Sequence, residues 1–189
     1  MTAQTKPTSR ERLLEATATL AYRQGVGIGV EELCKAAGVS KRSMYQLFRS
    51  KDELLAASLE RRADSYAASL LPVTGDGRSP RERIRHVFEQ VQSQAHEPEF
   101  RGCPYLAVQV ELKDQNHPAS QVAHRVKESL TGFFRAEADQ GGASDPDLLA
   151  RQLMLVFDGA SARAGIGADN LAGLIEPTLS SLLDPAGMR

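Results

Sequence analysis

The chain has 189 residues, of which 41% are hydrophobic, 5% aromatic and 25% charged, and its formal net charge is −1. That is enough apolar material for one or two compact units with a true core. No run approaches the roughly 18 apolar residues of a membrane span, and the opening MTAQTKPTSRER has no apolar stretch behind its charges, which argues against a spanning helix or a secretory leader and predicts a cytoplasmic protein.

The predicted elements are helical throughout. Thr8 with Glu11 makes a capping box, and Leu13, Ala16, Leu20 and Ala21 mark a helical stripe that runs to Arg23 and stops at Gly25. Residues 30–48 read as a helix-turn-helix. Within 36–51, AAGVSKRSMYQLFRSK, Ala37, Gly38 and Val39 supply a small residue, a turn glycine and an apolar plug, and Ser40 offers its hydroxyl to cap a new helix. On that helix Met44, Leu47 and Phe48 fall on one side. Arg42, Ser43, Gln46 and Arg49 fall on the other, with donors of the kind that reach phosphates and base edges. An ordinary amphipathic helix would divide in the same way. Lys41, Arg42, Arg49 and Lys51, with no acid between Ser40 and Lys51, turn the reading toward DNA.

Ser50 and Glu53 form a second capping box opening a long helix over 51–71, with Leu55, Leu59, Tyr66 and Leu70 on one face. Residues 72–79 are a loop, and Ser79, Pro80 and Glu82 start the next helix. A turn-rich stretch over 97–104 precedes a short apolar helix over 105–112. Pro118 begins a helix that reaches about Gln140 and halts at Gly141 and Gly142. Asp145 and Pro146 open another, apolar nearly all round and so expected to be buried on more than one side. A last helix is expected near Asp169, with Pro177 kinking or restarting it. No alternating run supports a strand, and no repeat is visible. The fold class is therefore all-α. Residues 1–71 hold 11 Lys+Arg against 8 Asp+Glu, a balance of +3, and residues 72–189 hold 12 against 16, a balance of −4. A basic head on an acidic body suits a polyanion partner for the head alone.

From about Arg10 to Leu55 the chain resembles the tetracycline-repressor (TetR) family of bacterial regulators. The resemblance rests on the turn Ala37 to Ser40, then Tyr45, Leu47 and Phe48, then Ser50, Lys51 and Asp52 opening the next helix. Arg42 stands where glycine is common, Leu47 where His or Tyr is common, and Ile28 and Gly29 in place of the usual Thr and Ser/Thr. Gly29 can cap a helix nearly as well but brings no side-chain donor for a phosphate. The segment FRGCPYL and the helix after Asp145 are similar to one C-terminal region of such regulators. The resemblance implies a helix-turn-helix DNA-binding domain over 8–52 and an effector-binding, dimerising helical domain over 53–189, with the last two helices of each chain in a four-helix interface. Gly159, Ala160, Ser161, Ala162, Ala164 and Gly165 beside Leu153, Val156 and Phe157 would permit close helix approach there, although a buried core helix would look similar.

Catalytic chemistry finds no foothold. Ser161 in GASARAG lacks the nucleophile-elbow form, there is no phosphate-binding loop, and His86, His96, His117 and His124 lack metal-ligand pairing. His117, before Pro118, is read as part of a helix start. Cys34 and Cys103 have no partner at metal-ligand spacing and are read as small buried hydrophobes. No catalytic residue, metal or cofactor is expected. A small-molecule pocket is read from Phe88, Tyr105, Phe133 and Phe157, with Tyr66 beside them and Gln92 and Gln109 as polar contacts, though each ring could be plain core. The expected protein is a homodimeric transcriptional regulator, a repressor released from double-stranded operator DNA by an effector. Arg42, Ser43 and Gln46 would face base edges, and Ser40, Lys41, Tyr45 and Lys51 phosphates. Two such helices must reach successive major grooves about 34 to 36 Å apart, a spacing that a tilt of the 51–71 helices would destroy. A dimeric DNA-binding protein without an effector, and an all-α enzyme or carrier with a vestigial helix-turn-helix, remain the alternatives.

Overall fold

The structure, a computed structural model, describes residues 6–188. Residues 1–5, part of the stretch that argued against a leader, and Arg189, the last residue of the expected C-terminal domain, lie outside the described residues. The described helices are α1 (Ser9–Gln24), α2 (Val30–Ala37), α3 (Lys41–Leu47), α4 (Lys51–Leu70), α5 (Pro80–Gln94), α6 (Pro104–Leu112), α7 (Pro118–Gln140), α8 (Pro146–Gly165) and α9 (Ile175–Leu183), with no strand among the described residues. None is long and apolar enough to cross a membrane.

Local chemistry sets several of the helix ends. Thr8 Oγ1 accepts from Glu11 N at 3.2 Å while the Glu11 carboxylate accepts from Thr8 N at 2.7 Å, so two otherwise orphaned donors are satisfied reciprocally. Ser79 and Glu82 do the same for α5. The hydrogen bond from Thr8 N chiefly holds the Glu11 carboxyl below the usual carboxylate range, and that from Ser79 N does so for Glu82. At α4 the expected reciprocal box is only half made. Ser50 Oγ accepts from Glu53 N at 3.1 Å, but the Glu53 carboxylate reaches past the cap to Arg49 N at 2.7 Å.

The last helix begins six residues later than expected. Asp169 and Asn170 turn their side chains onto Leu171 N and Ala172 N, at 2.7 and 3.0 Å. These Asx turns, with Leu171 at φ 64° and Gly173 at φ 73°, interrupt helical geometry before Ile175. Pro177 then falls in the first turn of α9, where its missing N–H costs no intrahelical bond.

By packing, the chain falls into two compact units, one of Met1–Arg62 with Tyr105–His124 and one of Ala63–Pro104 with Arg125–Arg189. In the first, α1 packs on α2 and α3, and Leu13, Leu14, Leu33, Met44, Phe48 and Leu54 form the core. In the second, α5, α8 and α9 pack together. Phe88 stacks on Phe134 at 5.7 Å between centroids and meets Phe157 edge-on at 6.4 Å. The buried Glu137 carboxylate receives Arg83 Nε at 2.7 Å. A short stretch of backbone lies directly against α8. A Cβ on Gly165 would come within 2.4 Å of the Arg101 carbonyl carbon, so only glycine fits there.

Candidate nucleic-acid interface

The turn between α2 and α3 is built by glycine. Gly38 takes a left-handed conformation at φ 61°, its N–H donates to Lys35 O at 3.2 Å, and Val39 N donates to Cys34 O at 3.0 Å, a Schellman closure of α2. Ser40 Oγ then accepts from Ser43 N at 3.1 Å and launches α3. Met44 and Phe48 are almost fully buried and seat this helix on the core. Leu47, expected beside them, is 40% exposed. The helix ends at Leu47, and Phe48 follows in extended backbone at φ −140°, so the wheel that placed both residues inward stops one residue too early, and Phe48 takes the core position.

The outward face of α3 carries Arg42, Tyr45 and Gln46, and exposed Arg49 follows two residues after the helix ends. Arg42 and Gln46 have no hydrogen bond or ion pair among the described residues. The Ser43 hydroxyl is half-buried, 2.9 Å from Ser40 Oγ. Lys41 Nζ meets Glu31 Oε1 at 2.6 Å with both side chains exposed. The Glu31 carboxylate holds the Lys41 ammonium above its ordinary pKa and is itself held below its own. An exposed pair of this kind is weak enough for an arriving phosphate to compete with it. Lys51, expected at a phosphate, is engaged within the chain. Its Nζ donates to Val26 O at 2.9 Å and Ile28 O at 3.2 Å, so the cation clasps the loop before α2.

The residues expected to line a pocket fall in both units. Phe88, Gln92, Phe133 and Phe157 belong to the second unit, Tyr105 and Gln109 to the first. Phe88 and Phe157 are fully buried and in contact, and the ring on which Phe88 also stacks is Phe134, which the pattern reading passed over. Phe133 lies half-buried under the Arg83 guanidinium, 5.8 Å from its centroid. Buried Tyr105 donates its hydroxyl to Leu59 O at 3.0 Å. The second unit instead holds a cleft of about 190 Å³ walled by Tyr66, Leu70, Val126 and Leu130, with Asp64 and Ser129 as polar members. Cys34 and Cys103 are both buried. Burial pushes the Cys34 thiol up, and Tyr66 OH donates to Cys103 Sγ at 3.0 Å. His117 serves a helix start: its Nδ1 accepts from Ala119 N at 3.1 Å, and its Nε2 lies 3.3 Å from Asp52 Oδ1.

Residues 13–58 match the family model for bacterial regulatory proteins of the tetR family. The chain is 32% identical over 117 residues to the HTH-type transcriptional repressor NemR of Escherichia coli K12. That match covers 60% of this chain and 59% of NemR, so the chain spans about three-fifths of this curated relative's length. A tetR-transcriptional regulator of Streptomyces avermitilis is 72% identical, with a TM-score of 0.96 over 97% of this chain and 100% of that one. A TetR transcriptional regulator of Chloroflexus aurantiacus has a TM-score of 0.78 at 23% identity, over 93% of this chain and 92% of that one, a likeness of fold alone.

Proposed function

The chain belongs to the tetR family of bacterial regulatory proteins, and on that premise we propose that it is a homodimeric, sequence-specific DNA-binding regulator, a repressor that a small molecule releases from its operator. The observation that carries this reading is the outward face of α3. A helix capped by Ser40 and seated by Met44 and Phe48 offers Arg42 and Gln46 without an internal partner. Polar side chains so held are preorganised for base edges in a major groove. Arg42 and Gln46 read bases with Ser43 beside them. Ser40, Lys41 and Tyr45 meet phosphates, and Lys51 supports them by holding the loop before α2.

Residues 8–52 act as the DNA head and 53–189 as the body, in a protein that works in the cytoplasm and is not an enzyme. The dimer forms through the face of α8 that carries Leu148, Leu155, Gly159 and Ala162, continued by Ile166 just past its end, all exposed in the single chain. For the effector, the cleft of Tyr66, Leu70, Val126 and Leu130 is a better supported seat than the rings of Phe88 and Phe157, which fill one another's space. Release requires only that the effector bind one dimer shape more tightly than the other. The close packing of Phe88, Phe134 and Phe157 favours one second reading, a dimeric DNA-binding protein with no effector.

Selection of duplexes from a random-sequence pool tests the primary reading. It should enrich a site of two half-sites related by a twofold axis, about one helical turn apart. A pool that emerges without sequence preference would overturn it.

A further inference from the structure

The loop between α1 and α2 is held from both sides by side chains far away in sequence. On the amide side, Glu111 near the end of α6 presents its carboxylate to Val26 N, at 2.8 Å from Oε1 and 2.9 Å from Oε2, and to Gly27 N at 3.2 Å from Oε1. On the carbonyl side, Lys51 Nζ donates to Val26 O and Ile28 O. Gly25 makes room for this arrangement. It sits at φ 92°, and a Cβ there would lie 2.8 Å from both Glu111 carboxylate oxygens.

The clasp falls where α2 is least secured. Its N-cap is Gly29, which makes no side-chain cap hydrogen bond, so the entry of α2 depends on the backbone that precedes it. That backbone leads through the eight residues of α2 into the turn that aims α3. Hydrogen bonds from amides to a carboxylate are charge-assisted and short, and among the stronger ones available to such a loop. All of these groups lie within one compact unit, Met1–Arg62 with Tyr105–His124.

We propose that Glu111 is a positioning residue for DNA reading: its carboxylate, received by the Val26 and Gly27 amides, supplies the anchorage that the Gly29 cap lacks and so sets the entry of α2 and α3. This rests on the DNA-binding function proposed above. It also means that the reading head is not complete in residues 8–52, because its loop anchor comes from the 105–124 segment.

The test uses the full chain with Glu111→Ala, Glu111→Gln and Gly25→Ala, and reads two quantities. Residue-resolved amide exchange should accelerate about tenfold at Val26 and Gly27 in Glu111→Ala, while amides of Leu13 and Leu14 in the core keep their native protection. Affinity for the best duplex of about 30 base pairs that the native chain enriches from a random pool should fall about tenfold. Its salt dependence should stay unchanged, because no phosphate contact has been removed. Glu111→Gln keeps one acceptor oxygen and should recover part of both losses. Gly25→Ala pushes the carboxylate away, so its effect and that of Glu111→Ala should fail to add in the double variant.

Native exchange at Val26 and Gly27 in Glu111→Ala would overturn the proposal. So would a lost affinity accompanied by a lower salt slope, which would make Glu111 part of a direct charge effect. Acceleration of the Leu13 and Leu14 amides in both Glu111 variants would overturn it as well, since the residue would then support the whole unit. A native chain that enriches no duplex would defeat the function proposed above, while the exchange measurement still decides whether the clasp exists.

Discussion

Replacing Leu155 with serine should break the dimer while leaving the protomer folded. Along α8 and its C-cap, Leu148, Leu155, Gly159, Ala162 and Ile166 recur at intervals of seven, four, three and four, the spacing of one helix face, and Leu155 and Ile166 are 75% and 80% exposed in the single chain. Fully burying a leucine side chain is worth about 1.5 to 3 kcal/mol. About three-quarters of that, roughly 1 to 2 kcal/mol, is still to be gained at each Leu155, and a twofold interface contains the residue twice. The loss is then about 2 to 4 kcal/mol, or roughly 30- to 1,000-fold in the dimer dissociation constant. Sedimentation velocity across a micromolar dilution series measures it directly. Gly159→Leu provides the control that assigns the effect to the partner, because a Cβ there meets nothing within 4 Å in its own chain. It should weaken the dimer at unchanged protomer melting temperature. A native chain that sediments as a monomer at micromolar concentration, or a Leu155→Ser variant with the native dimer constant, would refute the reasoning.

Four further outcomes are expected. Gln46→Ala should relax preference at one base pair per half-site by about 1 to 3 kcal/mol, whereas Lys51→Ala should weaken binding to all sequences and lower the melting temperature without reducing the salt slope, as titrations on enriched and random duplexes across a salt series would show. Met44→Ala empties a fully buried position in the head and should cost about 2 to 5 kcal/mol in chemical unfolding followed by circular dichroism. The capping carboxylates Glu11 and Glu82 have folded pKa values below their ordinary ones, so their stabilisation is present above the ordinary carboxylate pKa and lost as pH falls through the folded value. Melting temperatures measured from neutral pH down to about pH 3 should fall less steeply in Glu11→Gln with Glu82→Gln, which removes both titrating carboxylates, than in the native chain.

What could be read from the sequence is what the chain decides locally. The Thr8 and Ser79 boxes, the left-handed Gly38 and the Ser40 cap each involve residues within a few positions of one another, and each forms as their spacing implies. Helical periodicity also placed Met44 and Phe48 inward. It misplaced Leu47 because a wheel assumes the helix continues, and here it ends at that residue. The internal contacts of Lys51 were hidden for another reason. A lysine at the start of a helix beside a recognition helix looks the same whether its ammonium meets a phosphate or two carbonyls some 25 residues earlier in the chain. Glu111 gave no signal at all, since its partners lie 85 and 84 residues away and are backbone amides, which every sequence possesses.

The small residues of the body show how one stretch of composition can serve two surfaces. Residues 159–165, GASARAG, looked like a single permissive seam for a neighbouring helix. The helix divides them by angle. Ala160, Ser161 and Ala164 turn into their own unit, and Gly165 lies against the Arg101 and Gly102 backbone, while Gly159 and Ala162 remain exposed. Smallness at the inner positions is demanded by the chain's own backbone: a Cβ on Gly102 would come 2.7 Å from Ser161 O, just as one on Gly165 would strike Arg101. At the outer positions nothing in the chain demands it. Gly159 leaves open space where a larger side chain would fit, and a glycine in the middle of a helix costs about 1 kcal/mol relative to alanine. A helix that bears that cost on its exposed face, between Leu155 and Ile166, is arranged for a second backbone to approach it closely, as the proposed dimer requires.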